Sequence, residues 1–357
     1  MKVFHMPVTD IPSLQLTDSK AREYSVSLHY EDEVKKLEFK YDETAVNEFM
    51  FERSDFAFSG AEEHHYFGVV KNNNYYWETF SKGALGAQKP NVFWEKFANP
   101  MYIDESKGTQ YSFHESINLL FAIPLYWHWF NEDLPLFKYM LENGNKIITN
   151  KLNTWQLESL EYLDIPKGLH IEIDTPATVF NTSDIHTFSY PSVSYRGKGA
   201  AWVPLWLKET LVPTTKETGK RVYIGRGEAK ARVVENEEDI VSMLKPLGFD
   251  CILNSSSLTM EEKLNLFHSA DVVISPTGGN LTHVHAMRPG TKVIDFNHSF
   301  EVNEECGWNN IGTAVGVDWH TFIAETGSAN ERSKPKNKNL IPDLDLLMKV
   351  LKRLDIC

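Results

Sequence analysis

Beyond residue 220 the chain alternates short apolar runs with amphipathic stretches in a regular beat. Residues 221–224, 249–253, 271–275 and 292–296 each read as a short strand rich in β-branched and aromatic side chains. Helical signals lie between them. Asn236 stands where a helix cap is expected, with Glu237, Glu238 and Asp239 in the first turn, where the helix dipole favours acids, and Gly248 ends that helix. Thr259 and Glu262 form a capping-box pattern that opens a helix running through His268. Residues 281–287 read as a short helix, and Pro289-Gly290 as a turn. Such alternation predicts a parallel sheet with crossover helices. Sheets of this kind bind ligands beyond the carboxyl ends of their strands.

Upstream the beat is less regular. The first 110 residues read as strands and loops: 23–30 and 36–41 are expected to pair through an acidic turn, and 66–70 and 75–80 flank the turn Asn72-Asn73-Asn74. Residues 116–144 read as helical, 146–149 as a strand, 155–163 as a helix, 170–173 and 178–180 as strands, and 202–211 as a helix. The polar stretch 213–220 is the expected domain boundary, and 331–339 a charged linker. Leu344, Leu347, Val350, Leu351 and Leu354 mark one face of a last helix.

At 357 residues the chain has room for two domains, and 42% hydrophobic with 24% charged residues is an ordinary globular balance. A net charge of −13 argues against a nucleic-acid partner, although two or three Arg or Lys would still suffice for one diphosphate. No apolar run reaches the roughly 20 residues of a membrane span, and residues 1–17 do not resemble a signal peptide. Cys251, Cys306 and Cys357 are too scattered for a disulfide framework or a zinc site. Asn-x-Ser/Thr tripeptides occur at Asn181, Asn254, Asn280 and Asn297, the third within a candidate ligand loop. A cytoplasmic protein, bacterial or in a host cytoplasm if viral, is the expectation.

Three segments carry candidate chemistry. In Ser275-Pro276-Thr277-Gly278-Gly279-Asn280-Leu281-Thr282 a buried strand passes through small residues into a helix start. There, unpaired amides and the positive dipole end favour an anion. The plainer reading is a tight strand-to-helix turn. Arg226, just past the strand 221–224, with Lys230 and Arg232, offers guanidinium forks for diphosphate oxygens, or else a solvated loop pairing with Glu228 or Glu235. Asp295, near a strand end, is a candidate acceptor for ribose hydroxyls. In the first half, Tyr126-Trp127-His128-Trp129-Phe130-Asn131-Glu132-Asp133-Leu134-Pro135 sets His128 and Glu132 one helical turn apart. Such a pair can supply a general base, with Asp133 as a third candidate. Its plainer reading is a core-edge helix whose histidine is satisfied by a carbonyl. Pro135 suggests that this helix begins near His128. The tryptophans suit sugar stacking, but each is read first as a packing residue.

Taken in order, these segments resemble glycosyltransferase family 61. Matching stretches are Tyr223-Ile224-Gly225-Arg226, Arg232, Asn236-Glu237, Gly248-Phe249, Leu266-Phe267-His268-Ser269-Ala270, Thr277 through His283, and Pro289 through Asp295. Upstream, His128-Trp129 with Glu132, Leu134 and Pro135 is similar to the family's His-Trp-x-x-Glu/Asp-x-Leu-Pro element. Thr277 stands in place of the family's His, Asn280 of its last Gly and His283 of its closing Asn. The resemblance implies an α/β GT-B fold, two Rossmann-like domains facing across a cleft. It implies an inverting transfer of xylose, N-acetylglucosamine or glucose from a UDP-sugar to a glycan or glycoprotein acceptor. His128, Glu132 or Asp133 would act as base. Arg226, Lys230, Arg232, Thr277, Gly278, Gly279, Asn280, Leu281, Thr282 and Asp295 would hold the donor, with no metal or further cofactor required. On this reading 1–110 is a β-rich part of the N-terminal domain, 111–212 the acceptor-side domain, and 221–330 the nucleotide-sugar domain. Residues 341–357 form a helix packing back across the domains. An inactive sugar-binding relative, or a GT-B enzyme acting on the nucleotide sugar itself, are the alternatives.

Overall fold

The computed structural model describes residues 2–3, 13–15, 21–30, 33–42, 47–52, 56–59, 70–71, 74–75, 102–103, 109–120, 122, 124–173, 177–182, 184–188, 191–193, 198–227, 229, 231–298, 307–327 and 338–357. The strands used below are β1 (Ala21–Tyr30), β2 (Glu33–Asp42), β3 (Asn47–Glu52), β4 (Ile117–Leu120), β5 (Lys146–Asn150), β6 (His170–Ile173), β7 (Asp184–Phe188), β8 (Lys220–Ile224), β9 (Phe249–Ile252), β10 (Ala270–Pro276), β11 (Lys292–Asn297) and β12 (Asp318–Ile323). The helices are α1 (Phe137–Asn143), α2 (Thr154–Glu161), α3 (Trp202–Thr210), α4 (Glu237–Leu244), α5 (Met260–Ser269), α6 (Gly307–Ala314) and α7 (Leu344–Arg353).

The chain divides into two compact units, residues 1–20 with 43–195, and residues 21–42 with 196–357. In the first, one sheet runs β6-β5-β4-β7-β3 and ends on the short strand Ser13–Gln15. Pairing is parallel from β6 through β7 and antiparallel beyond. Counted along the chain, the parallel strands lie in the order third, second, first, fourth, so the direction of winding reverses between β4 and β7. Crevices at such reversals are where α/β sheets take ligands. The stretch 116–144, expected to be helical throughout, begins instead with β4. Its four residues, Ile-Asn-Leu-Leu, are all buried, as in a central parallel strand, and so short a run has no period to distinguish strand from helix. A second sheet of this unit includes Val70–Lys71 paired with Asn74–Tyr75, the core of the expected hairpin; the rest of 66–80 lies outside the described residues.

The second unit is built on a seven-stranded sheet, β9-β8-β10-β11-β12-β1-β2, parallel from β9 to β1. Its first five strands, numbered within this half, lie in the order 2-1-3-4-5, with the reversal between β8 and β10. The expected elements are present here. Thr259 and Glu262 make both bonds of the capping box, at 3.2 and 2.8 Å. Asn236 departs from expectation: its Nδ2 donates to Pro342 O at 2.9 Å, and its side chain does not cap α4. The last helix is capped by Asp343, which accepts from Leu346 N at 2.8 Å. It buries Leu347, Val350 and Leu351 against Ile240, Leu244 and Phe322, in the core of this unit itself.

Two boundaries differ from the sequence expectation. The hairpin β1–β2 pairs internally as read, but it belongs to the second unit, with β1 lying parallel to β12 through His320↔Ser27 to Phe322↔His29. Buried Arg22 anchors it, donating from Nη2 to Asn310 O at 2.8 Å and from Nη1 to Asn310 Oδ1 and Gly199 O. No local pattern announces a pairing between positions nearly 300 residues apart. The division near 195, rather than at 213–220, has a similar cause. Helix α3 buries Val203 and Leu207, and Lys208 Nζ donates to Met287 O at 2.7 Å. The supposed linker is itself fastened, with Thr214 N donating to Asn265 Oδ1 on α5 at 2.8 Å.

Candidate functional site

Both candidate regions lie at the reversal points of their own sheets. In the second unit the strands β8 and β10 end side by side, and the residues leaving them form a notch. Ser275 Oγ donates to Ile224 O at 2.9 Å, so the two strand ends are fixed to one another. Arg226 then bridges the loops, with Nε donating to Ala231 O at 3.0 Å and Nη1 to Thr277 O at 2.9 Å. Gly278 makes that bridge possible. Its backbone sits at φ 158° and ψ −172°, a region open essentially to glycine alone. A Cβ there would fall inside the Arg226 guanidinium, 2.7 Å from Cζ.

Asn280 makes the second bridge. Its Nδ2 donates to Gly225 O at 2.6 Å, while its Oδ1 accepts from Ser255 Oγ at 2.9 Å. Three loops, after β8, β9 and β10, are thereby tied together. The residues 281–287 expected as a helix form a 3-10 turn, Gly279–Ala286, whose tighter winding starts with Leu281 N bonded to Gly278 O at 3.0 Å. Its opening amides have no partner inside the turn, as at any helix start.

The other expected donor residues are distributed differently. Thr277, Leu281 and Thr282 are buried beneath the loop rather than lining it, because the whole turn from Leu281 to Met287 is packed into the core. Gly279 and Asn280 are half-buried at its surface. Asp295 is buried as well, with Asn297 Nδ2 donating to its Oδ2 at 3.4 Å. Lys230 lies outside the described residues.

Arg232 occupies a left-handed backbone conformation, φ 57°, with its guanidinium 5.6 Å from the centre of the Trp308 ring. Burial holds the His298 imidazole pKa below the usual range, opposed by its hydrogen bond with the Lys338 carbonyl and aided by the nearby Arg232 charge. Sequence reasoning does not single out Trp308, which follows the strand-and-helix beat by a further loop. It also passes over Glu237 as a site residue. That carboxylate accepts from Tyr223 Oη at 2.9 Å and closes over Gly225, where a Cβ would meet it. Burial raises its pKa, with the tyrosine bond opposing.

In the first unit, β4 leads to a helical run from Tyr126 to Asn143 that changes pitch three times. Residues Tyr126–His128 are α-helical, Trp129–Asp133 form a π-turn, and Leu134–Leu136 a 3-10 turn with Pro135 near its start. The expectation that Pro135 forces the helix to begin near His128 is thus met by a different solution. The run begins at Tyr126, and the switch from π to 3-10 winding absorbs the missing proline N–H. His128 Nδ1 and Glu132 Oε2 are 2.7 Å apart, the contact expected from their spacing. Glu132 is fully buried and His128 mostly so. A carboxylate on Nδ1 fixes the ring tautomer and leaves Nε2 to take up a proton. Asp133 is buried. Trp129 is a packing residue, fully buried with Nε1 donating to Ser159 Oγ at 2.7 Å. Among the described residues there is no cluster of three or more His, Cys, Asp or Glu able to hold a metal, and no helix long and apolar enough to cross a membrane.

No curated protein matches the chain closely enough to name a relative. A family model described as Glycosyltransferase 61 matches residues 126–294, which opens on the first residue of the His128 helical run and takes in the Arg226 bridge, the Gly278 loop and the first half of β11. The two regions that the fold sets at its sheet reversals both fall within the stretch, residues 126–294, that is similar to glycosyltransferase family 61.

Proposed function

We propose that the protein is an inverting glycosyltransferase of GT-B type that transfers a sugar from a UDP-sugar to a glycan or glycoprotein acceptor. The observation that carries this reading is the notch between β8 and β10. A glycine-backed loop, the amides that open a 3-10 turn and two arginines stand at the reversal point of a parallel sheet. The diphosphate of a UDP-sugar carries two negative charges and gains a third on its terminal phosphate as UDP departs, and fixed donors aimed at developing charge are the largest single source of catalysis in such steps. Arg226 and Arg232 supply the positive charge, and the Gly278–Asn280 backbone supplies amides. The second unit takes the donor, and the first supplies the base, His128 oriented by Glu132, with Asp133 behind it. The base removes the acceptor hydroxyl proton as the oxygen attacks the anomeric carbon and the bond to UDP breaks.

The test is a thermal-shift screen of UDP, UDP-xylose, UDP-N-acetylglucosamine and UDP-glucose, followed by turnover assays with simple glycan acceptors. A ligand present at 100 times its Kd raises stability by about 2.7 kcal/mol. No shift with any of the four overturns the donor assignment. A shift without transfer or slow donor hydrolysis leaves a sugar-nucleotide-binding protein instead.

A further inference from the structure

The two notch arginines are held in different ways. Arg226 spends Nε and Nη1 on backbone carbonyls, those of Ala231 and Thr277. Arg232 makes no hydrogen bond or ion pair among the described residues; its recorded partner is the face of Trp308. The two residues are mechanically linked. Arg226 grips the carbonyl of Ala231, the residue immediately before Arg232, and Arg232 turns away in the left-handed conformation that a side chain adopts only when its surroundings impose it. Because one guanidinium reaches both Ala231 O and Thr277 O, the backbone that launches Arg232 is held beside the Gly278 loop. Trp308 enters from the start of α6, the helix that follows β11 and so begins at the same end of the sheet. An indole face against a guanidinium restrains the side chain, and the buried Arg232 Nε has no hydrogen-bond partner within the protein.

We infer that Arg232, seated on Trp308, is the residue that grips the diphosphate of the nucleotide donor, and that Arg226 is a positioning residue that sets both Arg232 and the Gly278 loop. This rests on the donor reading above. It adds Trp308, which lies outside the matched region, and separates two arginines that the sequence treats alike.

The experiment is calorimetric titration of the full-length chain with UDP and, separately, inorganic pyrophosphate, at low and high salt. The variants are Arg232→Ala, Arg232→Lys, Trp308→Leu and Arg226→Ala, each with a thermal melt. Arg232→Ala is expected to weaken both ligands roughly 30-fold, the scale of a lost charge-assisted hydrogen bond. Its salt dependence should flatten and its melting temperature hold. Trp308→Leu should cost about 3–5-fold through loss of the cation–π seat, and Arg232→Lys should recover only part of the affinity because an ammonium cannot form the fork. Arg226→Ala should lower the melting temperature together with affinity and flatten the salt dependence less than Arg232→Ala does. If Arg232→Ala binds pyrophosphate like the wild type, the inference is overturned while the donor reading stands. If the wild type binds pyrophosphate but not UDP, and Arg232→Ala loses it, the arginine site stands and the donor reading falls. Binding of neither ligand by the wild type removes both.

Discussion

Adding a single methyl group at Gly278 is the sharpest perturbation of the notch. An alanine Cβ there would overlap the Arg226 guanidinium, so the arginine must leave its place between the loops. It then gives up two bonds, at 3.0 Å to Ala231 O and 2.9 Å to Thr277 O. Charge-assisted bonds contribute about 1.5–3 kcal/mol each, and since Arg226 is half-exposed and water can replace its partners, the lower figure applies, giving roughly 3 kcal/mol for the pair. Holding alanine at φ 158° adds about 1–2 kcal/mol of backbone strain. Gly278→Ala should thus destabilise the chain by about 4–5 kcal/mol and abolish measurable UDP binding. On an Arg226→Ala background the overlap no longer exists, and the same change should cost only the strain, about 1–2 kcal/mol. Urea unfolding followed by circular dichroism, run as a double-mutant cycle, measures both. Equal costs of Gly278→Ala with and without the arginine would refute the account of the bridge.

Glu132→Gln keeps the shape of the buried side chain but removes the charge that orients His128; turnover should fall by about 10²–10³-fold with the fold intact, and normal turnover would exclude the pair as base. Arg22→Ala should loosen the β1–β2 hairpin from the second unit and cost roughly 2–4 kcal/mol, read as faster amide exchange confined first to β1 and β2. A pH effect follows from His29 and His320, whose rings meet at 3.2 Å between β1 and β12. Burial, with the neighbouring His320 and Arg353, pushes His29 down to about 4 against the opposing pull of Asp318. Burial also lowers His320, where Asp318 opposes and Lys292 adds to the shift. The folded state therefore favours the neutral rings: their contribution is full above pH 6.5 and is lost as pH falls from there through about 4. Replacing His29 with Gln should flatten stability over that window, and identical pH profiles for the two proteins would refute it.

The sequence by itself determined the elements of the second half. Capping residues, β-branched runs and turn formers act within a few positions of one another, so β8, β9, β10, β11, α4, α5 and α7 were legible before any tertiary contact was known. It also marked Arg226, the Gly278 loop and the His128–Glu132 pair, because each is a local spacing. The tertiary structure decided what depends on distant partners. It placed β1 beside β12 with β2 beyond it, buried the side chains of Thr277, Leu281 and Thr282, turned Asn280 into a tie between three loops, and brought Trp308 under Arg232. The physical reason is the same throughout. A helix or a turn is stabilised largely by its own neighbours in sequence, whereas sheet order and the commitment of a guanidinium to one carbonyl rather than another are settled only when remote segments compete for the same space.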